Sequence, residues 1–76
     1  SAAALVLQHR IGEVFDAVVA GGSPKGTWVR LQRPIVEGKL DPWGRRDLQV
    51  GDRIQVKLVR VDSQKGFIDF AALAGR

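Results

Sequence analysis

Lys25-Gly26-Thr27-Trp28-Val29-Arg30-Leu31-Gln32 is the stretch that decides the fold. Its strict alternation places Val29 and Leu31 on one face of a strand and Trp28, Arg30 and Gln32 on the other. The first face asks for a core. The second holds a large indole out among basic residues, which is poor for solubility but suits a surface that stacks on flat rings and neutralises anions.

Before this strand, Gly21-Gly22-Ser23-Pro24 reads as a turn, because glycine accepts positive φ and proline fixes its own φ near that of a turn. Upstream the pattern has period two from Ile11, with Phe15, Ala17 and Val19 on one face and Glu13, Asp16 and Val18 off it. Downstream, Arg33-Pro34 interrupts the strand, since proline offers no ladder donor, and a third strand begins at Ile35. There Val36, Gly38 and Leu40 point inward and Glu37, Lys39 and Asp41 outward, while Gly38 suits a bend or a close approach of two backbones. Residues 42–52 form the longest break, with the basic pair Arg45-Arg46, the apolar pins Leu48 and Val50, and a Gly51-Asp52 turn. A fourth strand sets Ile54, Val56 and Leu58 inward against Arg53, Gln55 and Lys57, then shifts phase at Val59 to bring Val61 in. After an Asp62-Ser63-Gln64-Lys65-Gly66 turn, Phe67-Ile68-Asp69-Phe70 makes a last short strand with Ile68 and Phe70 inside.

Five short strands, antiparallel in the main and without a strong amphipathic helix, give an all-β fold, a small closed or nearly closed barrel. Two architectures compete. The long connection between strands three and four favours the five-stranded OB barrel, which crosses over there, above an SH3-like barrel, whose middle strands are joined by tight hairpins. The barrel is expected over residues 11–71. Residues 1–10 are expected to form a linker, a helical turn or the end of a preceding domain, and residues 72–76 a flexible tail.

Composition narrows the partners. The 76 residues make one domain with a thin core, since a chain this small buries only about 60% of the surface it exposes when unfolded. Cysteine is absent and the single histidine, His9, has no other candidate ligands around it, so neither a disulfide nor zinc staples the fold. No apolar run approaches the roughly 18 residues that span a bilayer, and residues 1–7 lack the basic start of a signal peptide, so a cytoplasmic chain with no membrane partner is expected. Twelve Lys and Arg against eight Asp and Glu give a net charge of +4. The resulting pI of about 10.4 favours a polyanionic partner.

The ordered landmarks Ile11-Gly12-Glu13-Val14, Gly26-Thr27-Trp28-Val29, Val36-Glu37-Gly38-Lys39-Leu40, Val50-Gly51-Asp52-Arg53 and Val61-Asp62 resemble the S1-type RNA-binding domain, an OB-fold module. Phe15-Asp16-Ala17-Val18-Val19, Ser23-Pro24-Lys25-Gly26-Thr27-Trp28 and Gly66-Phe67-Ile68-Asp69-Phe70 further resemble the C-terminal S1-like region of ribonuclease II (RNB-domain) exoribonucleases. The resemblance implies one module of a 3′-to-5′ RNA-degrading enzyme whose catalytic domain lies upstream. It also implies a binding face built from two aromatics on the second strand, a histidine ending the third, and an Asp with a basic residue around the last turn. In this sequence Lys25 replaces the first aromatic, Trp28 keeps the second, Asp41 holds the histidine position, Asp62 matches, and Phe67 stands where a basic residue is usual.

Each candidate also has a structural reading. Trp28 could cover a neighbouring loop, but Lys25, Arg30 and Lys39 on or beside its face suit a backbone tracking past a stacked base. Phe67 is a second platform or a plug at the barrel's end, and Trp43, beside Pro42 and Gly44, reads as a seal. Arg45, Arg46 and Lys65 are solvated loop charges or phosphate holders. Asp62 can cap its own turn, and His9 reads as an exposed linker residue. No nucleophile, base and oxyanion donors converge, and Gly21-Gly22-Ser23-Pro24-Lys25-Gly26 lacks the ending and helix of a phosphate-binding loop. The chain alone is therefore read as non-enzymatic, with no cofactor and no metal. The expected RNA-binding set is Trp28, Arg30, Lys25, Lys39, Phe67, Lys65, Asp62, Arg45 and Arg46. The expected function is a monomeric, sequence-tolerant single-stranded RNA-binding module that holds substrate for an exoribonuclease. The alternatives are a docking barrel whose Trp28 face packs on its parent enzyme or a second copy, and a DNA-binding surface.

Overall fold

In a computed structural model, which describes residues 2–41 and 47–73, a short helix is followed by five strands. These are α1 (Ala2–Leu7), β1 (Val14–Ser23), β2 (Gly26–Gln32), β3 (Ile35–Leu40), β4 (Arg53–Asp62) and β5 (Phe67–Ala72). The order β1-β2-β3-β5-β4 closes on itself as a barrel, the arrangement of an OB fold. Every neighbouring pair is antiparallel except β3 and β5, which run parallel with Lys39 opposite Asp69 and Leu40 opposite Phe70. The β3–β4 connection includes Trp43, Arg45 and Arg46, which lie outside the described residues.

The alternating positions fill the barrel. Phe15, Ala17, Val19, Val29, Leu31, Val36, Leu40, Val56, Leu58, Ile68 and Phe70 are all buried. Phe15 and Phe70 meet edge to face, with ring centroids 6.5 Å apart. Gly38 is the close approach: a Cβ there would stand 2.5 Å from the Phe70 ring and 2.6 Å from the Ile68 carbonyl oxygen. The missing side chain is what lets β5 close against β3. On β4 the register slips between Leu58 and Arg60, so Val59 and Arg60 both face outward and Val61 returns to the core.

The Val50-Gly51-Asp52 landmark acts as a clasp. Gly51 adopts φ +97°, a left-handed conformation, and its N–H donates to the Val19 carbonyl at 2.8 Å. The Val19 N–H donates in turn to the Asp52 carbonyl at 2.9 Å, while the Asp52 carboxylate accepts the Gln49 N–H at 2.8 Å. The clasp grips β1 just before a bulge that leaves Ala20 unpaired between Val19 and Gly21.

Several boundaries differ from expectation for local reasons. β1 begins at Val14 rather than Ile11, because Gly12 turns with φ +94° and donates its N–H to the Leu58 carbonyl instead of entering the ladder. The bulge carries β1 on through Gly21 and Gly22 to Ser23, which moves the hairpin turn to Pro24-Lys25, where Ser23 Oγ accepts the Lys25 N–H. Val50 is 67% exposed and pins nothing, whereas Leu48 packs against the core. Residues 71–72 continue β5, and the Leu73 N–H donates to the Gln55 carbonyl, so the start of the expected tail is paired. Ahead of the barrel, α1 buries Ala4 and Leu7 completely in the same core, and the Arg10 guanidinium lies 4.8 Å over the Phe15 ring. A helix this short is not stable by itself and is held by that burial. No helix among the described residues is long and apolar enough to cross a membrane.

Two stability outcomes follow from this packing. Gly38→Ala should lower the free energy of unfolding by about 1–3 kcal/mol through overpacking against Phe70, read as a lower urea midpoint with an unchanged slope. Leu7→Ala should cost about 2–5 kcal/mol if α1 completes the core, whereas a merely trailing helix would leave the midpoint where it was.

Candidate nucleic-acid interface

Closing the barrel sets four outward side chains in one row across four strands. Trp28 on β2 stands opposite Lys39 on β3, Lys39 opposite Asp69 on β5, and Asp69 opposite Arg60 on β4. Trp28 is half-buried and outside the core cluster. Its partner on β1 is Gly21, where an added Cβ would meet nothing within 4 Å, so the space beside the indole is open.

Lys39 has no carboxylate partner among the described residues. Its stem crosses Gly26, whose φ is +148° and whose added Cβ would sit 2.8 Å from the lysine Cε. The glycine that opens β2 therefore leaves the path along which Lys39 reaches the Trp28 strand. Arg30 stands opposite Glu37 and is paired with it, Nη2 to Oε2 at 2.5 Å, with both side chains about half exposed. Exposed pairs of this kind contribute only about 0–1 kcal/mol, so a phosphate can displace the carboxylate at little cost. Lys25 is exposed in the β1–β2 turn and Lys65 in the β4–β5 turn.

At the other end of the face Phe67 opens β5, 48% exposed, with the Arg60 guanidinium 5.8 Å from its ring centroid. The Arg60 Nε lies 3.5 Å from an Asp69 carboxylate oxygen. Asp62 stands opposite Phe67, and its Oδ1 accepts the backbone N–H groups of Gln64 and Lys65, each at 3.0 Å. Its carboxylate shapes the turn that carries Lys65. The Asp41 N–H donates to the Phe70 carbonyl and so fixes the end of β3.

The structure thus gathers Trp28, Arg30 and Lys39 on one face, with Phe67 at its far side and Lys25 and Lys65 in flanking turns. Arg45 and Arg46 fall outside the described residues. Sequence reasoning left Val59, Arg60 and Asp69 out of the expected face. The signal was present in the phase shift at Val59, because a strand that changes phase there must turn Arg60 outward next to β5. What assembles is a face that carries a partly exposed indole, an exposed phenyl ring, cations and hydrogen-bond acceptors. Among the described residues no three His, Cys, Asp or Glu side chains gather where they could hold a metal ion.

Comparison with known proteins places this barrel. The family model for the RNase II-type exonuclease C-terminal S1 domain matches residues 13–73. Among solved structures, the chain is similar to an uncharacterized protein of Methanocaldococcus jannaschii, with 28% identity and a TM-score of 0.72 over 88% of this chain and 96% of that one. It shares its fold with part of the apo form of Mycoplasma genitalium RNase R, with 18% identity and a TM-score of 0.78 over 93% of this chain. The chain spans 14% of that RNase R. No curated protein sequence matches. Since the family match runs through all five strands of the barrel, the chain belongs to the C-terminal S1 domains of RNase II-type exonucleases, and it corresponds to that accessory domain rather than to the catalytic one.

Proposed function

We propose that the barrel binds single-stranded RNA across the Trp28 face, with little sequence preference over most of its footprint, and holds substrate for a 3′-to-5′ exoribonuclease of which it is part. The observation that carries this reading is the half-buried indole beside Lys39, a cation without a carboxylate partner among the described residues, on the outer row of an OB barrel. The indole supplies a π-face that any base can use. Lys39, with Lys25 and Lys65 in the turns, supplies phosphate contacts, and Arg30 joins them once a phosphate replaces Glu37.

Trp28→Ala should weaken binding of a short oligouridine by about 1–3 kcal/mol while leaving the circular dichroism spectrum unchanged. The titration is cleanest in a Trp43→Phe background, where Trp28 is the one tryptophan and its fluorescence reports stacking directly. An affinity indifferent to Trp28 in a folded protein would defeat the reading.

Salt dependence gives a second check. Lys25, Lys39 and Lys65, which have no carboxylate partner among the described residues, should give a slope of log K against log salt of about −2, steepening toward about −3 as Arg30 exchanges Glu37 for phosphate, and Lys39→Gln should flatten it by about 0.7. A slope near zero would instead favour an apolar contact.

Docking on the parent catalytic domain is favoured by a different face. Leu5 and Val6 of α1, with Ile11 and Val14, are about half exposed at the start of the barrel. Val14 pairs with Lys57, whereas Gly21, the partner of Trp28, lies at the far end of β1, roughly 20 Å away at about 3.3 Å per residue. Docking through α1 and RNA binding through Trp28 therefore do not compete for one surface.

A further inference from the structure

A groove of about 490 Å³ runs along the outer face between β3 and the β4–β5 hairpin. Lys39 lines it from β3 and Asp41 from just past the end of that strand, Val59 and Arg60 from β4, and Phe67 and Asp69 from β5. We infer that this groove is a nucleobase pocket that prefers guanine, with Phe67 as the stacking surface and the Asp69 carboxylate as the reader of the base edge. The inference rests on the RNA-binding reading above and adds one selective position to it.

The geometry is built by two local features. The bulge in β4 turns Val59 and Arg60 outward together, so an apolar and a cationic side chain enter the groove from consecutive residues. Along β5 the alternation puts Phe67 and Asp69 on the same outward face, with Ile68 and Phe70 buried between and after them. Arg60 then sits near both, 5.8 Å from the Phe67 ring centroid and 3.5 Å from Asp69. The Asp69 side chain is 30% exposed, so its oxygens are held in place yet reachable.

A ligand for this groove must offer a flat face to Phe67 and Val59, donors to a carboxylate, and an anion to Lys39 or Arg60. A nucleotide has all three. Among the four bases, guanine alone presents two adjacent N–H donors, at N1 and N2, that match the two oxygens of one carboxylate. Its O6 acceptor then lies on the side where a guanidinium or ammonium is favoured. Adenine and cytosine offer a single amino group. Uracil offers one N–H between two carbonyl oxygens, both of which oppose the carboxylate. The pocket should therefore rank guanine first and uracil last. Trp28 is two strands away in the same row, roughly 10 Å at about 4.8 Å per strand, so the selective base is not the one stacked on the indole.

The test measures anisotropy of labelled hexanucleotides with the 76-residue chain. Hexauridine is compared with hexamers carrying one guanosine at each position in turn, and with the same hexamers carrying inosine, which lacks the 2-amino group. The expected result is a gain of roughly fivefold or more for one guanosine position, most of it lost with inosine. Asp69→Asn, on the outer face, should erase the difference between guanosine and uridine while hexauridine still binds. Phe67→Ala should weaken the guanosine hexamer far more than hexauridine. Equal affinity for all hexamers, or a guanosine preference that survives Asp69→Asn, would overturn the pocket and leave the RNA-binding reading standing. Failure of every hexamer to bind would overturn that reading and the pocket with it. The inosine comparison needs no altered protein, so a variant that fails to fold does not protect the inference.

Discussion

The close approach of Phe70 to Gly38 is the contact on which the barrel depends. β3 and β5 share only two paired positions, in the parallel register that is the weaker of the two per residue. Backbone pairing alone is a slender seam. The Phe70 ring strengthens it by packing into the space a side chain at position 38 would fill, and by meeting Phe15 edge to face across the interior. The same contact sets the outer face. With Leu40 opposite Phe70 inside, Lys39 must stand opposite Asp69 outside, because a slip of one residue would turn the apolar face of β5 away from the core. Core and interface are two sides of one register.

Two bulges adapt the remaining strands to that closure. Past Val18, the last position it pairs with β4, β1 pairs with β2 alone; the bulge at Ala20 follows at once, and the clasp from Gly51 and Asp52 holds the crossover loop against Val19. At Val59, the second bulge re-aims Arg60 toward β5. Its effect is electrostatic as well as geometric. Both arginines on the face are matched by carboxylates on neighbouring strands, Arg30 by Glu37 and Arg60 by Asp69. The surface is therefore a mixed one, in which Lys39 has no carboxylate partner among the described residues and these two arginines are each paired.

How far this was legible in the sequence depends on what each position must satisfy. Val29, Leu31, Val36, Leu40, Val56, Leu58, Ile68 and Phe70 could be assigned inward because a half-buried strand obliges its apolar residues to recur with period two. Gly38 could be marked as a close approach because an interior strand position without a side chain needs a neighbour to fill it. Gly21 and Gly22 misled, since glycine serves a bulged, extended strand as readily as a turn, and only the pairing with β2 distinguishes them. The α1 segment was opaque for another reason: six residues have no helical stability to advertise, and the burial of Ala4 and Leu7 is a long-range contact. For the face, Trp28, Arg30 and Lys39 could be read from one strand and its neighbour, while Arg60 and Asp69 required following a phase shift across a nonlocal pairing.

Carboxylates on a face proposed to bind RNA need a physical reason, and the two exposed ion pairs supply one. In the free protein each arginine shields its carboxylate, so the face is not a bare negative field that would repel an approaching strand. Exposed pairs are cheap to open, and a phosphate can take up a guanidinium in the same bidentate geometry as a carboxylate. When Arg60 turns to a phosphate, Asp69 loses a partner at 3.5 Å and must find donors or return to water. A base edge that offers two N–H groups meets that need, and one that offers carbonyl oxygens makes it worse. In the proposed pocket the ion pair would thus convert a charge contact that every nucleotide can make into a choice among bases, because opening it is rewarded only when both of its halves are satisfied.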